Sequence, residues 1–202
     1  VINIDDENAN YFLQFFAKKK YGYSMAGGRT SIGQIEGGSA SVIKLQEILF
    51  KLKLIGDFNI YNALAAIGVG ISQGIGMDVC QRALEKVEGV PGRMEEVIAQ
   101  PFKVFVDYAF TPNALEKVYQ TLKPQTAKMI CVLGACGGGR DKWKRPVLGE
   151  IAARYCDEVI VTNEDPYDED PIVIIEQVAS GARDKAKKII DRRTAINQSL
   201  NL

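Results

Sequence analysis

An α/β fold, with a doubly wound parallel sheet in its carboxy-terminal half, is what this 202-residue sequence predicts. From Lys103 onward, short apolar runs alternate with amphipathic segments of about ten residues, the pattern that joins parallel strands through right-handed crossovers. Ahead of them, Gly56 to Ile75 carries Ile60, Leu64, Ile67 and Ile71 at helical spacing. Between these regions, Gly89-Val90-Pro91-Gly92-Arg93 is the strongest punctuation in the chain, as a hinge or linker requires. The predicted domains are therefore 1–89 and 90–202.

In order along the chain, Val1 to Asp5 reads as a strand and Glu7 to Lys19 as a helix with Phe12, Phe15 and Phe16 on its apolar side. Ala40 to Gly56 alternates imperfectly and reads as strand pairs. Asn59 is an N-cap residue type for the helix of Gly56 to Ile75, and Met77 to Val87 forms a second, short helix. The regular half then gives strands at Lys103 to Tyr108, Met129 to Leu133, Glu158 to Thr162 and Ile189-Ile190. They are separated by helices at Pro112 to Leu122, Arg145 to Tyr155 and Pro171 to Ala179.

Composition narrows the function classes. Lysine plus arginine equals aspartate plus glutamate, 25 each, so no polyanionic partner is implied and nucleic-acid binding is not expected. No run of apolar residues is long enough to span a membrane and no signal peptide is present, which leads to an expected cytoplasmic location without a membrane partner. The chain has no histidine, so proton transfer must use carboxylate, lysine, tyrosine or the substrate itself. Its four cysteines, Cys80, Cys131, Cys136 and Cys156, form no Cys-x-x-Cys pair and are expected to be reduced thiols rather than zinc ligands. The chain starts inside a strand pattern without methionine, as expected of a fragment.

In a doubly wound sheet, ligands gather beyond the carboxyl ends of the strands. The predicted strands place Asp107 to Pro112, Gly134 to Lys144 and Asn163 to Tyr167 there, each carrying charge that a plain connector does not need. Read singly, Asp107 and Thr111 are also good helix caps and Asp165 a good turn residue before Pro166. The glycine-dense Val132 to Pro146, VLGACGGGRDKWKRP, suggests a phosphate cradle, but it lacks the Gly-x-x-x-x-Gly-Lys-Ser/Thr spacing and misses the dinucleotide fingerprint. It reads as a binding loop for something other than nucleotide phosphates.

At this point the motifs are recognisable. VPGRME at Val90 to Glu95, VFVDYAFTPNALEKV at Val104 to Val118, GGGRDKWKRPVLGEIA at Gly137 to Ala152 and TNEDPYDEDP at Thr162 to Pro171 resemble, in order, the signatures of the Mur ligases, and among them the MurE type (UDP-N-acetylmuramoyl-tripeptide synthetase). VINIDDENA and GDFNIYNALAA resemble the late part of that family's central domain. The resemblance implies an incomplete central ATPase domain followed by a Rossmann-like carboxy-terminal domain, with the phosphate loop upstream of this chain.

It further implies an ATP-dependent ligase that makes an acyl phosphate on a substrate carboxylate, which an amino-acid amine then attacks. The partners would be UDP-MurNAc-dipeptide and a diamino acid, in peptidoglycan precursor synthesis, with ATP and Mg2+ as cofactors and the magnesium ligands outside this chain. Asn59 and Asn62 match the adenine-contacting helix start, Arg93 the ATP-contacting arginine and Asp107 the ribose-contacting aspartate. Arg140 matches the arginine that holds the incoming amino acid's carboxylate. Lys142, Lys144 and Arg145 read as surface residues, with Arg145-Pro146 a helix start rather than a ligand. No catalytic or metal-binding residue is assigned within the chain, and the chain alone is expected to be inactive.

There are two departures. Phe110 stands where relatives read histidine. Where diaminopimelate-adding relatives read Asp-Asn-Pro-Arg, this chain reads Glu164-Asp165-Pro166-Tyr167, which removes the cation facing the second carboxylate and implies an L-lysine-like substrate. The alternatives are a related ligase of the folylpolyglutamate or cyanophycin type, and a Mur-like binding protein without turnover.

Overall fold

Residues 1–26, 29–35 and 46–202 are described by the structure, a computed structural model. The chain divides into two units, Val1–Val106 and Asp107–Leu202.

In the first unit, β1 (Ile2–Asn3), β2 (Lys20–Ser24), β3 (Ser31–Ile35) and β4 (Gln46–Glu47) form one sheet in chain order. β1 pairs parallel with β2, while β2–β3 and β3–β4 are antiparallel. The helices are α1 (Ala9–Leu13), α2 (Asp57–Ser72) and α3 (Met77–Glu85). The core joins Ile32 and Ile48 to Leu64 and Ile67 of α2, with Tyr23, Phe50, Ile60, Ile71 and Leu84 packed around them. The helical spacing of Ile60, Leu64, Ile67 and Ile71 thus marks the face of α2 that leaves water.

Several expectations change here. The helix expected over Glu7 to Lys19 shortens to Ala9–Leu13, because only Ala9 and Leu13 are buried. One i, i+4 pair anchors barely a turn, and Phe12, Phe15 and Phe16 face solvent, Phe16 at 96% exposure. The first strand narrows to Ile2–Asn3. Of the strand pairs expected over Ala40 to Gly56, residues 40–45 lie outside the described residues, and β4 covers only Gln46–Glu47. The N-cap of α2 is Gly56, at φ 95°, and not Asn59. Asn59 is already inside the helix, its N–H donating to the Gly56 carbonyl at 2.9 Å.

β5 (Glu95–Ile98) and β6 (Val104–Val106) pair antiparallel, Glu95 opposite Val106. The strand expected over Lys103 to Tyr108 as part of the parallel sheet is therefore shorter and belongs to a two-stranded ribbon. The domain boundary proposed from the sequence, at 89/90, precedes this ribbon, whereas the division by contacts follows it.

The second unit contains α4 (Pro112–Leu122), β7 (Ile130–Leu133), α5 (Lys144–Tyr155), β8 (Glu158–Thr162), α6 (Pro171–Ala182), β9 (Ala186–Ile189) and α7 (Arg192–Ser199). The strands pair parallel in the order β7-β8-β9. Successive residues of a strand point to opposite faces, so the complete burial of Val159, Ile160 and Val161 means that both faces of β8 are covered. α5 and α6 pack on each other and on β8, and α7 lies against all three strands. The starts of α4, α6 and α7 are closed by side chains: Thr111 accepts from the Ala114 N–H at 3.4 Å, Asp170 from Ile172 at 2.8 Å and Asp191 from Thr194 at 2.8 Å. The last strand is Ala186–Ile189 rather than Ile189-Ile190, and α7, which buries only Ala195, was not expected at all.

Candidate amino-acid and nucleotide site

β7 and β8 run parallel, so the segments that leave their carboxyl ends, 134–143 and 163–170, emerge on the same side of the sheet. The two are joined by backbone. The Gly137 N–H donates to the Asp165 carbonyl at 2.8 Å, and a Cβ at Gly137 would lie 2.0 Å from the Pro166 carbonyl oxygen, so only glycine admits this approach. Gly138 and Gly139 follow at φ 68° and 72°, with Gly138 against the Tyr167 ring. Tyr167 itself sits at φ 53° with its side chain 65% exposed. The Glu169 N–H closes the turn by donating to the Pro166 carbonyl at 3.0 Å.

Arg140, Glu164 and Asp165 surround the Cys136 thiol electrostatically. Burial raises that thiol above its ordinary range, Glu164 and Asp165 raise it further, and Arg140 opposes them. Arg140 is exposed at the tip of its loop, Asp165 is exposed and Glu164 half-buried. The arrangement offers a guanidinium and two carboxylates within electrostatic reach of one thiol, a combination that suits a zwitterion with an extra ammonium.

The third expected segment also converges here. The Lys144 ammonium lies 5.1 Å from the centre of the Phe110 ring, and Phe110 stacks edge-on with Tyr108 at 5.6 Å. Lys144 is only 7% exposed, so it is not the surface residue expected. Asp107 accepts from the Ala109 N–H at 2.7 Å, a local turn that sets its direction.

The residue that sequence reasoning placed wrongly is Arg145. It stands at the start of α5, as expected, but it is not the surface residue expected, since its side chain is 0% exposed. Its guanidinium donates to both Glu169 carboxylate oxygens at 3.0 Å, to Gln177 Oε1 at 2.6 Å and to the Cys136 carbonyl at 2.9 Å. Lys142 adds a second cation to Glu169 at 3.0 Å. Nothing in the spacing of Arg145 separates it from its neighbours in a basic run; its partners lie 9 to 32 residues away in the chain.

Arg145 and Lys142 hold the Glu169 carboxyl down to about 2, from an ordinary 4.5. A depressed folded-state value means that the unfolded chain binds more protons between about pH 4.5 and 2, so this stabilisation is complete above 4.5 and lost as pH falls through about 2. The expected result is that Glu169→Gln flattens the thermal-midpoint profile in that window. Identical slopes for parent and variant, from thermal melts at matched ionic strength, would contradict the pairing.

In the first unit, Asn59 and Asn62 come together one helical turn apart. Asn59 is buried and donates to the Ile55 carbonyl at 2.7 Å, and the Asn62 amide donates to Asn59 Oδ1 at 3.2 Å. Asn59 thereby orients Asn62, whose exposed amide edge retains a donor and an acceptor for a purine. Arg93 is exposed beside the Val90–Arg93 bridge. Among the described residues no cluster of three or more carboxylate, thiol or imidazole side chains could hold a metal ion. The described helices include none long and apolar enough to cross a membrane.

Two family models match the chain, and they meet between residues 70 and 92, ahead of the β5–β6 ribbon. Residues 1–70 match the Mur ligase middle domain, and residues 92–202 match the Mur ligase glutamate ligase domain. A UDP-N-acetylmuramoyl-L-alanyl-D-glutamate–2,6-diaminopimelate ligase of Syntrophomonas wolfei is 43% identical over 100% of this chain and 44% of its own length. A UDP-N-acetylmuramyl-tripeptide synthetase of Roseiflexus is 49% identical over 69% of this chain and 28% of its own. The chain thus spans less than half the length of these relatives. Among solved structures, a pseudomurein peptide ligase type C from Methanothermus fervidus aligns with TM-score 0.64 at 19% identity, over 89% of this chain and 35% of that one, a likeness of fold. A UDP-N-acetylmuramoyl-L-alanyl-D-glutamate–2,6-diaminopimelate ligase aligns with TM-score 0.50 at 27% identity, over 98% of this chain and 44% of that one.

Proposed function

This chain belongs to the Mur ligase family, and we propose on that basis that the full-length protein is an ATP-dependent ligase joining a diamino acid to UDP-N-acetylmuramoyl-L-alanyl-D-glutamate. The observation that carries the amino-acid side is the bonding of the segment after β7 to the segment after β8, which brings Arg140, Glu164 and Asp165 around one thiol. Arg140 takes the α-carboxylate, a planar anion suited to a guanidinium fork. Glu164 and Asp165 take the side-chain ammonium of an L-lysine-like substrate, with Tyr167 along its methylenes.

ATP, when bound, supplies the phosphoryl group that activates the substrate carboxylate. Asn62, oriented by Asn59, would meet the adenine edge; Asp107 would accept from the ribose hydroxyls and Arg93 would neutralise phosphate charge. Magnesium is expected with ATP, and no step is assigned to it on this chain. The work left to these residues is orientation: bringing an unprotonated amine onto the activated carbonyl while the charged ends of the amino acid stay fixed.

The test is ATP-dependent phosphate release by the full-length protein, given UDP-MurNAc-dipeptide and a panel of amino acids. Release that requires both substrates is expected. No release with any amino acid would instead favour a Mur-like binding protein. In the same assay, Arg93→Ala and Asp107→Ala are each expected to raise the KM for ATP roughly tenfold to a hundredfold, the effect of one charge-assisted hydrogen bond. Amino-acid preference should not move, and a change there would mean that the nucleotide and amino-acid sides are wrongly divided.

A further inference from the structure

We propose that Arg145 is a positioning residue for amino-acid selection: its buried fork sets the spacing between the segment that carries Arg140 and the segment that carries Asp165 and Tyr167. The inference rests on the amino-acid reading above. A fully buried guanidinium is poorly suited to stability alone, because a well-packed apolar group of similar volume is often equal or better there. A planar fork does something that an apolar group cannot, which is to fix several partners at once in direction as well as distance.

Its partners are distributed for that task. One nitrogen reaches the Cys136 carbonyl at 2.9 Å, in the glycine-rich segment shortly before Arg140. Both outer nitrogens reach the Glu169 carboxylate at 3.0 Å. Glu169 closes, through its own N–H to the Pro166 carbonyl at 3.0 Å, the turn that bears Tyr167 at φ 53°. The remaining bond, to Gln177 at 2.6 Å, ties the assembly to the body of α6. Arg145 itself belongs to α5. Two segments with little regular structure are thus referenced to two packed helices through one side chain, and a shift of that side chain moves Arg140 relative to Tyr167. Lys142 binds the same carboxylate from the exposed rim, more than half exposed itself, and leaves Arg145 as the inner anchor.

The experiment uses the full-length ligase and measures KM for the amino acid, KM for ATP and the ratio of kcat/KM for L-lysine to that for diaminopimelate. Arg145→Lys keeps the charge but replaces the fork with a point donor that cannot span Cys136, Glu169 and Gln177. It is expected to raise the amino-acid KM roughly tenfold to a hundredfold, the scale of a misplacement of about 1 Å, and to change the lysine-to-diaminopimelate ratio, while the ATP KM stays within about twofold. Arg140→Ala, in parallel, tests the underlying reading. If Arg140→Ala leaves the amino-acid KM unchanged, the amino-acid reading and this inference fall together. If Arg140→Ala raises it but Arg145→Lys melts at lower temperature with KM and ratio intact, Arg145 is structural only and this inference alone is overturned. Should Arg145→Lys not fold, Glu169→Gln decides by the same criteria, since it keeps the shape and weakens only the charged half of the fork.

Discussion

Given L-lysine and meso-diaminopimelate in competition, the full-length protein is expected to select L-lysine or a similar basic amino acid. Diaminopimelate ends in a second carboxylate, and the segment that would receive it offers Glu164, Asp165 and Tyr167, two acids and a phenol. The nearby cations are engaged elsewhere: Lys142 is on Glu169 at 3.0 Å and Lys144 lies over Phe110 at 5.1 Å. Asp165 and Tyr167 are exposed, so water screens much of the repulsion. A preference of roughly tenfold to a hundredfold, about 1.4 to 2.7 kcal/mol, is the expected scale.

Tyr167→Arg combined with Asp165→Asn should reverse it, removing a repulsion as well as adding an attraction. Both changes suit the backbone. Asp165 holds Gly137 through its main-chain carbonyl, which asparagine keeps. The φ of 53° at position 167 is already occupied by a non-glycine residue, so arginine there adds no new strain. Diaminopimelate chosen by the unmodified enzyme would end the Tyr167 reading.

Gly149→Ala is expected to cost the second unit a large share of its stability, as is its counterpart, Gly181→Ala. A Cβ at Gly149 would lie 1.9 Å from the Val178 carbonyl oxygen, and one at Gly181 would lie 1.8 Å from that of Pro146. Both obstacles are backbone atoms of the opposing helix, so no rotamer change relieves them and α5 and α6 must separate. That separation would loosen Leu148, Ile151 and Val178, all buried. Overpacking of this kind costs about 3 kcal/mol or more. Alanine recovers about 1 kcal/mol of helix propensity, which leaves a net loss of roughly 2 kcal/mol or more. For a unit of this size that corresponds to a fall of roughly 10 °C in thermal midpoint. Gly89→Ala is the contrast, because nothing lies within 4 Å of its Cβ position and its φ is not positive. Equal midpoints for Gly149→Ala and the parent would show that the two helices do not meet backbone to backbone.

The elements that were legible in advance have their signals next to one another in the chain. α4 begins at Pro112 behind the Thr111 cap and ends at Leu122, as predicted, because both signals and the apolar stripe are local. β8 was readable for a related reason: a strand buried on both faces carries an unbroken apolar run, and Val159-Ile160-Val161 is one. The β2–β3 hairpin was not legible. Its polar residues and glycines, with Gly22 opposite Gly33, hide the alternation, and its pairing is between segments rather than within either. α7 was missed because it has one buried residue, Ala195, too little to leave a stripe.

The candidate site divides along the same line. Sequence alone determined the family, through motifs in a shared order, and nominated Arg140, Asp107 and the acidic pair at 164 and 165 as candidate site residues. It also determined that the segments after β7 and β8 leave on one side, since parallel strands joined by helices allow nothing else. Only the tertiary structure decided that Arg145, one cation in a basic run, lies fully buried on Glu169 and Gln177 while its neighbour Arg140 remains exposed. The physical reason is that charge and spacing are properties of the chain, whereas desolvation and the set of partners that repays it arise only when residues distant in sequence close around the same side chain.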